Sequence, residues 1–200
     1  MIRIKLCGLR RDADVEAACV LLPEYVGFVF ADSSRRCVTE RQAEALHARL
    51  APGIQAVGVF VDETPERVAA LLRSGIIDIA QLHGHEDEAW ISRLRKMTDR
   101  PLIQAFRVRS PEDVRRAEQS SADLILLDAG QGNGRTFAWD LAENVRRPWF
   151  LAGGLTPDNA AEAAERLRPW GMDVSSGIET DGWKDPEKMR AFVEAVRGLE

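Results

Sequence analysis

Hydrophobic positions along the chain fall into short apolar or alternating runs, each followed by a stretch with helical spacing. They predict strands over 2–7, 25–30, 54–61, 77–83, 101–108, 123–128, 148–152 and 171–175. Helix starts stand between them: Asp12 before "ADVEAACVLL", Thr39 before "ERQAEALHARL", Thr64-Pro65 before "ERVAALLRSG" and Ser110-Pro111 before "EDVRRAEQS". Thr156-Pro157 before "DNAAEAAERL" and Asp185-Pro186 before "EKMRAFVEAV" follow the same rule. A capping oxygen followed by proline starts a helix because proline's missing donor and fixed φ cost nothing at the first helical position.

Eight strand-helix units imply parallel strands with helical crossovers, and eight close most naturally into a single-domain (β/α)8 (TIM) barrel over residues 1–200. A doubly wound open sheet is the alternative. Because 200 residues is short for such a barrel, typically ~250 residues, the loops must be brief. The sixth helix, near 139–145, is expected to be only a turn or two.

In a barrel the chemistry belongs on the loops after the strands. That rule gathers Cys7, Arg35, Arg36, Gln81, His83, Arg107, Asp128, Gly153, Gly154, Ser175, Ser176 and Gly177 at one end. Alternation along the first strand turns Ile2, Ile4 and Leu6 toward the helices and Arg3, Lys5 and Cys7 into the bore; Asp173 and Ser175 likewise share a face.

Composition narrows the partners. With 45% hydrophobic and 30% charged residues the 200-residue chain can enclose one sizeable core. A net charge of -5 argues against nucleic acid or an anionic membrane and leaves a small molecule as the expected ligand. Cys7, Cys19 and Cys37 lack the paired spacing of a disulfide framework or zinc site, so a reducing compartment is expected. The chain opens directly into a strand-like run and has no apolar stretch near the roughly 18 residues that span a bilayer, which makes a cytoplasmic location the default. The charged surface suggests a monomer, with a homodimer as the alternative.

Glycines in "LAGGLTPDN" and Ser-Ser-Gly in "DVSSGIE" fall after strands seven and eight, where backbone N–H groups of barrel loops commonly hold phosphate. The competing reading is a pair of tight turns. Asp128, closing "DLILLDAG", suits a general acid if burial raises its pKa, although a strand-end aspartate also serves as a cap. Cys7 is either a nucleophile or a base if thiolate is available, and Lys5 is a cation that would favour the thiolate. A strand cysteine is otherwise a small buried hydrophobe. Arg35 and Arg36 offer a guanidinium for a carboxylate, one of them being a surface residue. "QLHGHE" raises a metal site through His83, His85 and Glu86, but no further ligand cluster supports it and none is expected.

"IKLCG", "GFVF…SSRRCV", "GVFVDE", "QLHGHE", "LLDA", "FLAGGLTPDN" and "DVSSGIETDGWKD" together, in order over essentially the whole chain, resemble the phosphoribosylanthranilate isomerase family of tryptophan biosynthesis. The resemblance implies an Amadori rearrangement without metal or organic cofactor. It assigns Asp128 as general acid and Cys7 as general base, and matches Arg36 to the arginine that holds the anthranilate carboxylate. Gly153, Gly154, Ser175, Ser176 and Gly177 match the phosphate loops, and Asp173 an acidic residue near the substrate. Two departures stand out: Cys37 replaces an aromatic residue after the arginine, loosening the wall beside the anthranilate ring, and Ala138 replaces the aspartate of a Phe-Asp-Trp segment in the loop after strand six. Rival readings are another phosphosugar isomerase or epimerase, and a noncatalytic barrel that binds a phosphorylated ligand.

Overall fold

The computed structural model describes residues 1–128, 139–143 and 145–198. Its strands are β1 Arg3–Cys7, β2 Tyr25–Val29, β3 Gln55–Phe60, β4 Ile79–Leu82, β5 Leu102–Arg107, β6 Leu124–Asp128, β7 Trp149–Ala152 and β8 Gly171–Val174. They form a closed parallel barrel in chain order, with β1 pairing with both β2 and β8, as the repeat predicts. The open-sheet alternative is excluded by that closure.

The helices are α1 Asp12–Leu21, α2 Glu40–His47, α3 Pro65–Ser74, α4 Glu88–Arg95, α5 Pro111–Glu118, α6 Pro157–Leu167 and α7 Pro186–Arg197. Proline occupies the first turn of α3, α5, α6 and α7, where the sequence places it. Asp12 does not cap α1 but begins it; the buried Asp14 carboxylate instead turns back to accept from the backbone N–H groups of Arg10 and Arg11 at 3.0 and 3.1 Å. α4 has no proline signal and is capped by Asp87, whose side chain accepts from the Trp90 N–H at 2.8 Å. The sixth unit carries one 3-10 turn, Trp139–Leu141, in place of a long helix. The loop over 129–138, where the Ala138 departure falls, lies outside the described residues.

Strand ends are shorter than the hydrophobic runs. Ile77 is fully buried yet stands outside β4, because hydrophobicity reports burial and not ladder pairing. The outward faces of the strands, such as Ile4, Leu6, Phe28 and Leu82, pack against the helices. The lower bore is plugged by Tyr25, Val57, Ile79, Ile103, Leu126 and Phe150, so the barrel is filled rather than open. The Arg3 guanidinium lies 4.2 Å over the Trp170 ring beside this plug. Beyond β8 the chain adds a small antiparallel hairpin, β9 Glu179–Thr180 with β10 Trp183–Lys184, that the periodicity does not predict. Among the described residues no helix is long and apolar enough to cross a membrane.

Candidate active site

β1 ends on Cys7, which is 7% exposed and packs with Val29 and Val59 at the upper end of the bore. Its register partner on β2 is Gly27, where a β-carbon would lie 2.6 Å from the Cys7 sulfur. The thiol therefore occupies space that any other residue on β2 would fill. Gly8, next in sequence, has φ +80°, and a β-carbon there would meet the Arg36 side chain at 2.5 Å. The close approach at Gly8 is made by Arg36.

Below the thiol, Lys5 is wholly buried and its ammonium lies 2.8 Å from Asp173 Oδ1 on β8. Burial alone would push Lys5 down, but Asp173 and Cys7 reverse this and hold its pKa above the ordinary value. Burial pushes the Cys7 thiol up, and the Lys5 charge offsets that only partly. The expectation that Lys5 would favour the thiolate thus meets a larger opposing cause, the loss of water around the sulfur.

Asp128 ends β6 on the same rim, with its side chain 18% exposed. Its Oδ2 lies 3.2 Å from His83 Nε2, and His83 Nδ1 lies 3.2 Å from Gln81 Nε2. His85 engages Asp62, and the Glu86 carboxylate accepts from the backbone N–H groups of Asp62 and Gly84, both at 2.8 Å. The residues that raised a metal reading are thus separately committed.

Arg36 is bound in a fork to Glu179, Nε to Oε1 at 2.6 Å and Nη2 to Oε2 at 2.8 Å, which leaves Nη1 outside the fork. Arg35, 60% exposed, reaches the same carboxylate from solvent, as befits the surface member of the pair. The nearly buried Lys184 ammonium donates to Glu179 Oε1 and to the Ser175 carbonyl, at 2.8 and 2.9 Å. Glu179 loses water on burial, yet its bonds to Arg36 and Lys184 outweigh that and hold its pKa at about 2. Glu179 and Lys184 lie within the quoted motif "DVSSGIETDGWKD", but no periodicity marks them as site residues; only the hairpin brings them to Arg36.

Gly153 and Gly154 follow β7 with φ +85° and +69°, conformations that side chains resist. Ser176 and Gly177 follow β8 in a 3-10 turn, Ser176–Ile178. A β-carbon at Gly177 would overlap the Leu155 carbonyl, so the two loops touch there. The Ser175 hydroxyl turns away from that turn and donates to the Cys7 carbonyl at 3.1 Å. A separate cavity of about 560 Å³ opens beside the rim between β4, β5 and α5, lined by His83, Arg107, Arg116 and Ser120 among others, and includes neither Cys7 nor Arg36.

A filled parallel barrel that carries a thiol, a carboxyl and glycine loops at the C-terminal ends of its strands is the arrangement of an enzyme of the barrel class. Residues 4–195 match the family described as N-(5'phosphoribosyl)anthranilate (PRA) isomerase. A relative from Endomicrobium trichonymphae, N-(5'-phosphoribosyl)anthranilate isomerase, is 40% identical over all of both chains, and one from Caldanaerobacter subterraneus is 38% identical over the same extent. The fold superposes on phosphoribosyl anthranilate isomerase from Thermotoga maritima with a TM-score of 0.90, at 32% identity over all of both chains. It also superposes on a phosphoribosyl anthranilate isomerase solved with reduced 1-(o-carboxyphenylamino)-1-deoxyribulose 5-phosphate, with a TM-score of 0.89 at 32% identity over all of both chains. The chain belongs to the N-(5'-phosphoribosyl)anthranilate isomerase family, the isomerases of that name in tryptophan biosynthesis.

Proposed function

We propose that this isomerase opens and rearranges N-(5-phosphoribosyl)anthranilate with Asp128 as general acid and Cys7 as general base, yielding 1-(2-carboxyphenylamino)-1-deoxyribulose 5-phosphate. The observation that carries the reading is that both groups end bore-facing strands on one rim, β1 and β6, where one sugar can lie between them. The Asp128 proton passes to the ribose ring oxygen as the C1–O bond breaks, and the anilino nitrogen's lone pair forms the C=N bond. Cys7 thiolate then takes the C2 proton, and the released pair forms the C1=C2 bond of an enolamine. A proton gained at C1 and one lost from the C2 hydroxyl give the ketone, so the atoms balance without redox chemistry, metal or organic cofactor.

The remaining groups support binding. Backbone N–H groups around Gly153, Gly154, Ser176 and Gly177 would hold the phosphate, with Ser175 contributing its backbone rather than its committed hydroxyl. Arg36 would meet the anthranilate carboxylate through Nη1, the nitrogen outside the Glu179 fork. Asp173 would act beneath the substrate by holding Lys5 under the thiol.

The test is loss of phosphoribosylanthranilate fluorescence, with the substrate generated in situ. Cys7→Ala and Asp128→Asn are each expected to lower kcat by about 10²–10⁴-fold with the far-UV circular dichroism unchanged. Full activity in either variant removes that residue's role, and no consumption by the folded wild type overturns the whole reading.

A further inference from the structure

The hairpin after β8 holds buried charges that a surface turn does not need. Glu179 and Lys184 stand directly opposite each other across it, so their side chains share one face, and both are nearly buried. An ionised carboxylate offers about four acceptor sites, and Glu179 fills them all. Its Oε1 accepts from Arg36 Nε at 2.6 Å and Lys184 Nζ at 2.8 Å, and its Oε2 from Arg36 Nη2 at 2.8 Å and Arg35 Nη2 at 2.6 Å. One carboxylate thus serves three cations, and no second carboxylate pairs with any of them among the described residues. The Arg36 edge made by Nη1 and the second N–H of Nη2 faces away from the fork, open to an anion from outside.

We propose that the Glu179–Lys184 pair is a specificity-determining strut: it fixes the Arg36 guanidinium relative to the loop after β8, so that the enzyme selects a substrate whose carboxylate and phosphate lie at one separation. The inference rests on Arg36 meeting the substrate carboxylate. At one end of the strut Glu179 grips the guanidinium in a fork, and a planar fork sets the direction of the opposite edge. At the other end Lys184 donates to the Ser175 carbonyl at 2.9 Å, immediately before the Ser176–Ile178 turn, and the Ser175 hydroxyl bonds the Cys7 carbonyl. The hairpin between is stiff. Its turn residues Asp181 and Gly182 have φ +52° and +79°, the left-handed pair that the tightest hairpin turn requires. Arg10 stacks 3.8 Å over the Trp183 ring and donates to the Gly182 and Arg35 carbonyls at 2.9 and 2.8 Å, tying the hairpin to the Arg36 loop from its other face. A loose arginine would lose side-chain freedom when it bound a carboxylate; here folding has already imposed that loss, so the ligand meets a prepared edge.

The experiment compares kcat/KM on three phosphoribosylamines made in situ, those of anthranilate, of 3-aminobenzoate and of aniline, with the ketose products followed by chromatography. Wild type should prefer the anthranilate compound over both others by at least about 100-fold. Glu179→Gln, assayed below its melting range, should raise KM for the anthranilate compound by about tenfold or more with a far smaller change in kcat. It should also narrow the preference for the 2-carboxylate over the 3-carboxylate by about tenfold or more, because the freed guanidinium can follow a displaced carboxylate. Lys184→Met keeps the Arg36 fork but unties it from Ser175, and should shift the same preference; it decides the matter if Glu179→Gln does not fold. Equal losses on all three compounds, or an unchanged preference between the two carboxylates, overturns the strut and leaves Arg36 as the carboxylate's partner. Arg36→Met should erase the preference for anthranilate over aniline. If that preference survives, the Arg36 assignment falls instead, and this inference with it.

Discussion

Lys5 and Asp173, 168 residues apart in sequence, meet in the bore at 2.8 Å, where the lysine is completely buried and the aspartate nearly so. Parallel pairing of β1 with β8 sets Lys5 directly opposite Asp173. Removing one member of a buried pair leaves the other's charge desolvated and uncompensated. Asp173→Asn should therefore destabilise the fold by about 3–5 kcal/mol, measured by denaturant unfolding. Lys5 is held above its unfolded pKa of 10.5, so its contribution is complete below that pH and is lost as pH rises through the higher folded value. Alkaline unfolding should begin above about pH 10.5 in the wild type and lose that component in Lys5→Met.

The Cys7 thiol is pushed up by burial, and Lys5 is the largest cause acting against it. With Cys7 as base, kcat/KM should rise with pH along a limb that lies above the ordinary thiol value near 8.5. Lys5→Met should move that limb to still higher pH. A limb unmoved or moved down in the variant would show that Lys5 does not tune the thiol.

Glu179 binds Arg35, Arg36 and Lys184 and has a pKa of about 2 against an ordinary 4.5, with its side chain 5% exposed. A carboxylate depressed on folding stabilises the protein above its unfolded pKa, and that stability fades as pH falls from 4.5 toward 2. The difference corresponds to about 3 kcal/mol. Glu179→Gln should thus melt earlier than wild type at pH 7, with the two curves converging near the Glu179 pKa of about 2. A constant gap across that range would show that the charge is not what stabilises the cluster.

Gly27→Ala places a β-carbon against the Cys7 sulfur and 3.1 Å from the Cys7 α-carbon, neither of which can yield far inside a strand pair. Overpacking of this kind costs about 1–3 kcal/mol. The larger consequence should be kinetic, since displacing a reacting group by about 1 Å can cost on the order of 100-fold in rate. A melting temperature slightly lowered with kcat intact would place the strain away from the thiol.

The periodicity of the chain determined by itself the eight strands and the helical segments between them, and favoured the barrel over an open sheet, because outward strand faces, bore plug and helix faces are all local patterns of burial; closure then excluded the open sheet. Proline at the first turn marked four of the helices without any tertiary knowledge. The same alternation turned Lys5 and Cys7 into the bore, and the rule that strand ends gather on one rim put Asp128 there. Local pattern failed at two points: α1 is organised not by Asp12 but by the Asp14 carboxylate reaching back three and four residues, and Ile77 is buried without joining a strand. Sequence could name Arg36 but not the Glu179 that grips it, nor the Lys184 beside them, because a hairpin after β8 brings those three together. The Gln81–His83–Asp128 chain likewise crosses from β4 to β6. Burial periodicity records which side of an element faces inward; only closure of the barrel decides which charges then share that interior, and the desolvation they share sets their pKa values.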